Sequence, residues 1–209
     1  MRSIPRHALY AITDTFLCSN LGLEKAVRGA LEGGAQLIQY RDKSHDHAKR
    51  AREAKVLVNL CRDFGALLII NDDIELAGTI DADGVHLGKD DDDVGRARKQ
   101  LGSEKIIGVS CYNSTTRATV AAQSGADYIA FGRFFPSTVK PNAPGADLST
   151  VHECRNLRLP IAAIGGITTK NAPPLIEAGV NLLAVIGAIF ASPDPKKAAE
   201  AFRPLFDGH

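Results

Sequence analysis

The charged and polar side chains of this sequence gather at the downstream ends of apolar runs. Arg41, Asp42 and Lys43 follow Leu37-Ile38-Gln39-Tyr40, and Asn71, Asp72 and Asp73 follow Leu67-Leu68-Ile69-Ile70. His86, Lys89, Asp90 and Asp91 come just after Gly84-Val85, Ser110 closes Ile106-Ile107-Gly108-Val109, and Lys140 lies beyond Tyr128-Ile129-Ala130-Phe131-Gly132. Two further runs end in glycine, at Gly165-Gly166 and at Ile186-Gly187. Arg41, Lys43 and Lys140 together are the kind of cationic set that a diphosphate requires, arginine as a planar fork and lysine as a point charge. Glycine lets backbone N–H groups approach a second phosphate closely.

Two carboxylates, Asp72 and Asp91, suit a hard divalent cation such as Mg²⁺, which often takes one or two carboxylates plus phosphate oxygens. A plainer reading is also available. Asp72 or Asp73 can cap a helix, and the acids at 90–93 can complement a helix dipole. Spacing alone leaves both open. Ser110 lacks the glycine-flanked elbow of a hydrolase nucleophile, so hydrogen bonding to an anion is its expected role. His86, between Gly84 and Gly88, reads as a structural or supporting residue, and Cys111 as a small core residue.

Residues so far apart converge only if the strand ends share one place. Strand-like runs begin near residues 9, 37, 67, 84, 106, 128, 160 and 182, with helical patterns at 22–31, 46–64, 91–101, 115–125, 172–179 and 195–206. Eight strands at roughly 25-residue intervals fit an α/β fold, a single (β/α)8 TIM barrel over residues 1–209, whose strand C-termini open into one mouth. The strands are nearly continuous apolar runs, as expected where helices cover the outside of a parallel sheet. An open dinucleotide-binding sheet would need a glycine-rich turn after Leu9-Tyr10-Ala11-Ile12-Thr13-Asp14, and none follows. The proline- and glycine-rich stretch 132–149 reads as a lid or binding loop.

With 209 residues and a formal net charge of +1, the chain suits one cored domain and not a dedicated nucleic-acid binder. No apolar run reaches membrane-spanning length. The N-terminal segment leaves no room for a signal peptide. Four scattered cysteines without metal spacing read as reduced thiols in a cytoplasmic protein. A homo-oligomer is left open.

The ordered motifs Gln39-Tyr40-Arg41-Asp42-Lys43, Asn71-Asp72, Asp83-Gly84-Val85-His86-Leu87-Gly88 with Asp91, and Pro136-Ser137-Thr138-Val139-Lys140 resemble those of the thiamine-phosphate synthase family. The resemblance runs from Tyr10 to the eighth strand. It implies a Mg²⁺-dependent transferase joining a pyrimidine-methyl diphosphate to a thiazole phosphate, with release of diphosphate. It further implies that Gln39, Tyr40, Arg41, Asp42 and Lys43 hold the pyrimidine diphosphate, together with Asn71, Ser110 and Lys140. Arg41, Lys43, Ser110 and Lys140 would act in catalysis, and Asp72 and Asp91 would bind the metal. Ser137, Thr138, Val139, Gly166, Ile186 and Gly187 would receive the thiazole phosphate.

Three positions depart from the family pattern. The family often has Gln at Lys89, Thr at Val139 and Ser at Gly187, so two hydroxyls expected near the thiazole phosphate are missing. The resemblance also extends to a related thiazole tautomerase, and a phosphate-binding barrel without turnover is a non-enzymatic alternative. Retention of Arg41, Lys43, Asp72, Asp91 and Lys140 favours the synthase. A generic sugar-phosphate isomerase lacks an evident catalytic Glu or Lys pair.

Overall fold

The computed structural model describes residues 3–88, 94–136 and 145–207. Parallel strands close into a barrel in sequence order: β1 (Ala8–Ile12), β2 (Leu37–Tyr40), β3 (Leu67–Asn71), β4 (Gly84–Leu87), β5 (Ile106–Tyr112), β6 (Tyr128–Phe131), β7 (Ile161–Ile164) and β8 (Leu182–Val185). β1 completes the ring by pairing with β8, Ala8 opposite Leu182 and Ala11 opposite Val185. The (β/α)8 expectation is met.

Among the described residues the helices are α1 (Leu23–Glu32), α2 (His47–Asp63), α3 (Ile74–Thr79), α4 (Val94–Leu101), α5 (Thr115–Gln123), α6 (Leu148–Cys154), α7 (Pro173–Glu177), α8 (Gly187–Phe190) and α9 (Pro195–Glu200). Helices α3, α6 and α8 were not anticipated. With 4 to 7 residues each, they span too few turns for an apolar stripe to recur. Aspartates begin several helices: the side chains of Asp46, Asp73 and Asp194 accept hydrogen bonds from the N–H groups of Lys49, Leu76 and Lys197. Each satisfies one of the orphan donors of a first helical turn. Among the described residues no helix is long and apolar enough to cross a membrane.

The core has two layers because side chains alternate along each strand. Leu9, Ala11, Ile38, Tyr40, Leu68, Ile70, Val85 and Leu87 face the helices in the larger layer. Tyr10, Ile12, Leu37, Ile69, Ile106, Tyr128 and Leu182 fill the barrel interior. Both faces are apolar, which is why the strands read as unbroken hydrophobic runs. The same alternation decides which residues near the strand ends reach the mouth.

Candidate active site at the barrel mouth

A cavity of about 390 Å³ opens over the barrel interior and spans from the end of β2 to the start of α8. On one side it is lined by Gln39, Arg41, Asn71 and Ser110, and on the other by Gly165, Gly166, Ile186 and Gly187. Gln39 continues the inward face of β2 from Leu37, and Arg41 continues it past the strand end. The Arg41 backbone N–H donates to Thr13 Oγ1 at 2.9 Å, and its guanidinium lies 4.0 Å from Asp14. The cation is thereby anchored to the loop after β1 and aimed over the cavity.

Tyr40 and Asp42 fall on the opposite parity of β2 and do not line the cavity. The Tyr40 hydroxyl donates to Glu53 of α2 at 2.7 Å, and burial with that carboxylate pushes its pKa upward. Asp42 is buried and accepts from Lys49 of α2 and from the Ser44 N–H. Burial alone would raise the Asp42 pKa, but those hydrogen bonds outweigh it and hold the carboxyl down at about 2. Both residues brace the β2 loop against α2.

Asp72 and Asp73 have separate tasks. Asp73 caps α3 and pairs with Arg50 at 2.7 Å. Asp72 adopts a positive φ of 64°, rare for a residue with a Cβ, and its N–H donates to the His86 carbonyl at 2.8 Å. Its carboxylate meets Lys43 and the Asn71 side-chain amide. A carboxylate beside an amide, at the end of a strand and next to a cavity with room for phosphates, is an oxygen donor set of the type Mg²⁺ uses. Among the described residues no group of three or more His, Cys, Asp or Glu side chains converges.

Asp91, Ser137, Thr138, Val139 and Lys140 lie outside the described residues, as does Lys89. The flanks of the expected lid are described. Phe134 and Phe135 donate from their backbone N–H groups to the carbonyls of Ile164 and Gly165, and Ala146 donates to that of Arg133. Gly166 has φ +62°, and a Cβ there would come within 2.3 Å of the Pro136 carbonyl. A residue other than glycine would push the loops after β6 and β7 apart.

A family model described as thiamine monophosphate synthase matches residues 9–189. The chain belongs to this family. A thiamine-phosphate synthase of Nitrosococcus oceani is 54% identical over 199 residues, covering 95% of this chain and 92% of that protein. One from Methylobacillus flagellatus is 48% identical over 205 residues, with 97% of each chain covered. Among solved structures, a thiamine phosphate pyrophosphorylase from Pyrococcus furiosus matches with a TM-score of 0.86 at 35% identity, over 96% of each chain.

The cavity of this family member includes residues that sequence reasoning passed over. Arg133 lines it one residue after Gly132, so the strand-end rule that found Arg41 could have found it. Tyr10 and Tyr112 also line it, and their aromatic character reads as core in a sequence. His86 bridges Ser110 and Tyr128, in keeping with the supporting role expected. Cys111 is fully buried and its thiol is pushed up to about 12 by that burial, so it stays protonated and inert at neutral pH.

Proposed function

We propose that the chain is a Mg²⁺-dependent thiamine-phosphate synthase. It would join 4-amino-2-methyl-5-(diphosphooxymethyl)pyrimidine to 4-methyl-5-(2-phosphooxyethyl)thiazole, giving thiamine phosphate and diphosphate. The observation that carries this reading is one cavity with two chemically different walls, in a chain of this family. Gln39, Arg41, Asn71 and Ser110 offer hydrogen bonds and a cation for the pyrimidine diphosphate. Gly166, Ile186 and Gly187 offer backbone for the thiazole phosphate.

Each wall has a physical rationale. Gly187 and Ala188, the first residues of α8, line the cavity, so backbone N–H groups there would be available to the thiazole phosphate. Arg41 on the facing wall would receive charge as the diphosphate departs, and Lys43, paired with Asp72 outside the lining, and Lys140 would join it. Preorganised cations in a partly dry site stabilise such developing charge more than water does. Asp72 and Asp91 would hold Mg²⁺, which when bound supplies further neutralisation of the diphosphate. The pyrimidine carbon is left as a benzylic-type cation stabilised by the ring's amino group, and the thiazole nitrogen captures it. No covalent nucleophile is needed, in keeping with a Cys111 thiol that burial keeps protonated.

The 132–149 loop would close over both substrates and limit capture of the cation by water. A cytoplasmic location accords with four buried cysteines that are all free thiols.

Incubating the protein with both substrates and Mg²⁺ and following product by mass spectrometry tests the assignment. Thiamine phosphate should accumulate over many turnovers. Isomerisation of a thiazole phosphate without coupling would instead assign the tautomerase, and binding without turnover would assign a silent barrel.

A further inference from the structure

We propose that Arg117 is a positioning residue for the reaction, whose guanidinium clamps the ends of β4 and β5 together and so fixes Ser110 at the cavity wall. The inference rests on the reading above that Ser110 contacts the pyrimidine diphosphate. Arg117 Nε donates to the Ser110 carbonyl at 2.7 Å, and its Nη2 donates to the Gly88 carbonyl at 2.6 Å. Gly88 follows the last residue of β4, and Ser110 lies two residues before the end of β5. Ser110 lines the cavity and Arg117 does not, so the arginine acts through the serine.

The sheet itself holds Ser110 loosely. The last pair between β4 and β5 is Leu87 with Val109, so Ser110 lies one residue past the end of that ladder. On its other side, the register of β5 against β6 shifts between Ser110 and Tyr112. Such an irregularity bends a strand and re-aims the side chains beside it. Tyr112 follows with a positive φ of 58°, a conformation rare for a residue with a Cβ. A serine between the end of one ladder and a slip in the other takes its position from whatever else grips its backbone. The rigid fork of a guanidinium holds two acceptors in fixed relation, which the point charge of a lysine does not.

Helix α5 delivers this fork. Ser114 caps the helix by accepting from the Arg117 N–H at 3.1 Å, which pins the arginine backbone in the first turn. Helical side chains point back toward the N-terminus, here toward the strand ends that precede α5. The location separates Arg117 from other arginines that bond the backbone. Arg62, Arg98, Arg155 and Arg203 donate to the carbonyls of Asp81, Gly125, Ala178 and Gly33. Those carbonyls lie where a helix leads into the next strand, at the end of the barrel away from the cavity. Arg117 makes the same kind of bond at the mouth, on a residue of the cavity wall.

Steady-state kinetics of Arg117→Ala, with each substrate varied in turn, read the effect. KM for the pyrimidine diphosphate should rise about tenfold, while KM for the thiazole phosphate stays within about twofold of wild type. Guanidinium chloride at about 20 mM should lower the raised KM by about threefold, and methylammonium chloride at the same concentration should not. In a Ser110→Ala background, Arg117→Ala should raise KM by no more than about twofold further, as for residues acting in series. Amide hydrogen exchange tests the clamp without turnover: β4 and β5 should exchange faster at their ends in Arg117→Ala, and β1 and β8 should not change. Arg117→Lys, which keeps the charge and loses the fork, repeats both tests if the alanine variant does not fold. An equal rise in both KM values, or losses that multiply in the double variant, would overturn positioning through Ser110. Equal recovery with methylammonium would overturn the role of the fork, and unchanged exchange at the ends of β4 and β5 would overturn the clamp. A wild type that makes no thiamine phosphate would instead overturn the functional reading, and the pyrimidine effect with it, whatever the exchange shows.

Discussion

Lys43 and Asp72 meet in an ion pair between the ends of β2 and β3. The two residues have opposite tasks in the proposed reaction, one for the diphosphate and one for the metal. The lysine side chain is 60% exposed and that of the aspartate 21%, so the pair is a solvent-screened contact worth at most about 1 kcal/mol. A bond this weak can be exchanged when substrate arrives, freeing Lys43 for phosphate oxygens and Asp72 for Mg²⁺.

That exchange has a measurable consequence. Lys43→Ala should tighten Mg²⁺ binding to the protein without substrate by up to about fivefold, because a competitor for Asp72 is gone. The same variant should lower kcat for thiamine phosphate formation. Isothermal titration with Mg²⁺ and steady-state kinetics measure the two effects. Weaker Mg²⁺ binding in the variant would show that Lys43 does not compete for the Asp72 site.

The thiazole wall offers a gain-of-function test. A Cβ at Gly187 meets nothing within 4 Å, so Gly187→Ser adds a hydroxyl without a clash. A hydrogen bond to a charged phosphate is worth roughly 1.5–3 kcal/mol, and KM for the thiazole phosphate should fall by about tenfold or more. Gly166→Ala should act in the opposite sense, because its Cβ would press on the Pro136 carbonyl and its φ is positive. The comparison is a set of KM values under one assay. An unchanged KM in Gly187→Ser would remove that position from the phosphate site.

Asp42 gives the chain an acid-sensitive brace. Its carboxyl titrates at about 2 in the folded protein, below the unfolded value of about 3.9. A carboxyl pKa depressed by folding contributes stability that is present above the unfolded pKa and lost as pH falls toward the folded one. Asp42→Asn should therefore lower Tm at pH 7, with a stability cost on the order of 1–2 kcal/mol. The difference from wild type should shrink from about pH 4 downward, be small at about pH 2 and be gone by about pH 1, below both pKa values. Thermal melts across that range measure it, and a difference that does not shrink between about pH 4 and pH 2 would locate the cost elsewhere.

The barrel was legible because hydrophobic runs at regular spacing leave few other topologies, and the strand-end rule brought Gln39, Arg41, Asn71, Ser110, Gly166 and Gly187 to one cavity. Motif reading blurred the period of two within the second strand. Gln39 and Arg41 face the mouth, while Tyr40 and Asp42 face α2, a division that alternation alone could have supplied. The Asp72-Asp73 ambiguity was different in kind. Nothing in the sequence says which acid caps α3, since the answer depends on the positive φ at Asp72. The hydrogen bonds linking Tyr128 to His86 and to Tyr10 were invisible for a related reason: they join residues 42 and 118 positions apart through a barrel interior that only the closed sheet creates.

The most direct test of the proposed chemistry follows diphosphate and thiamine phosphate together while Mg²⁺ is removed by chelation and restored, in wild-type protein and in Asp72→Ala. The wild type should form both products in equal amounts, stop on chelation and resume with Mg²⁺, while Asp72→Ala should lose Mg²⁺-dependent turnover and keep its fold. Product formation that survives chelation, or near-normal activity in Asp72→Ala, would contradict a Mg²⁺-assisted departure of diphosphate at this barrel mouth.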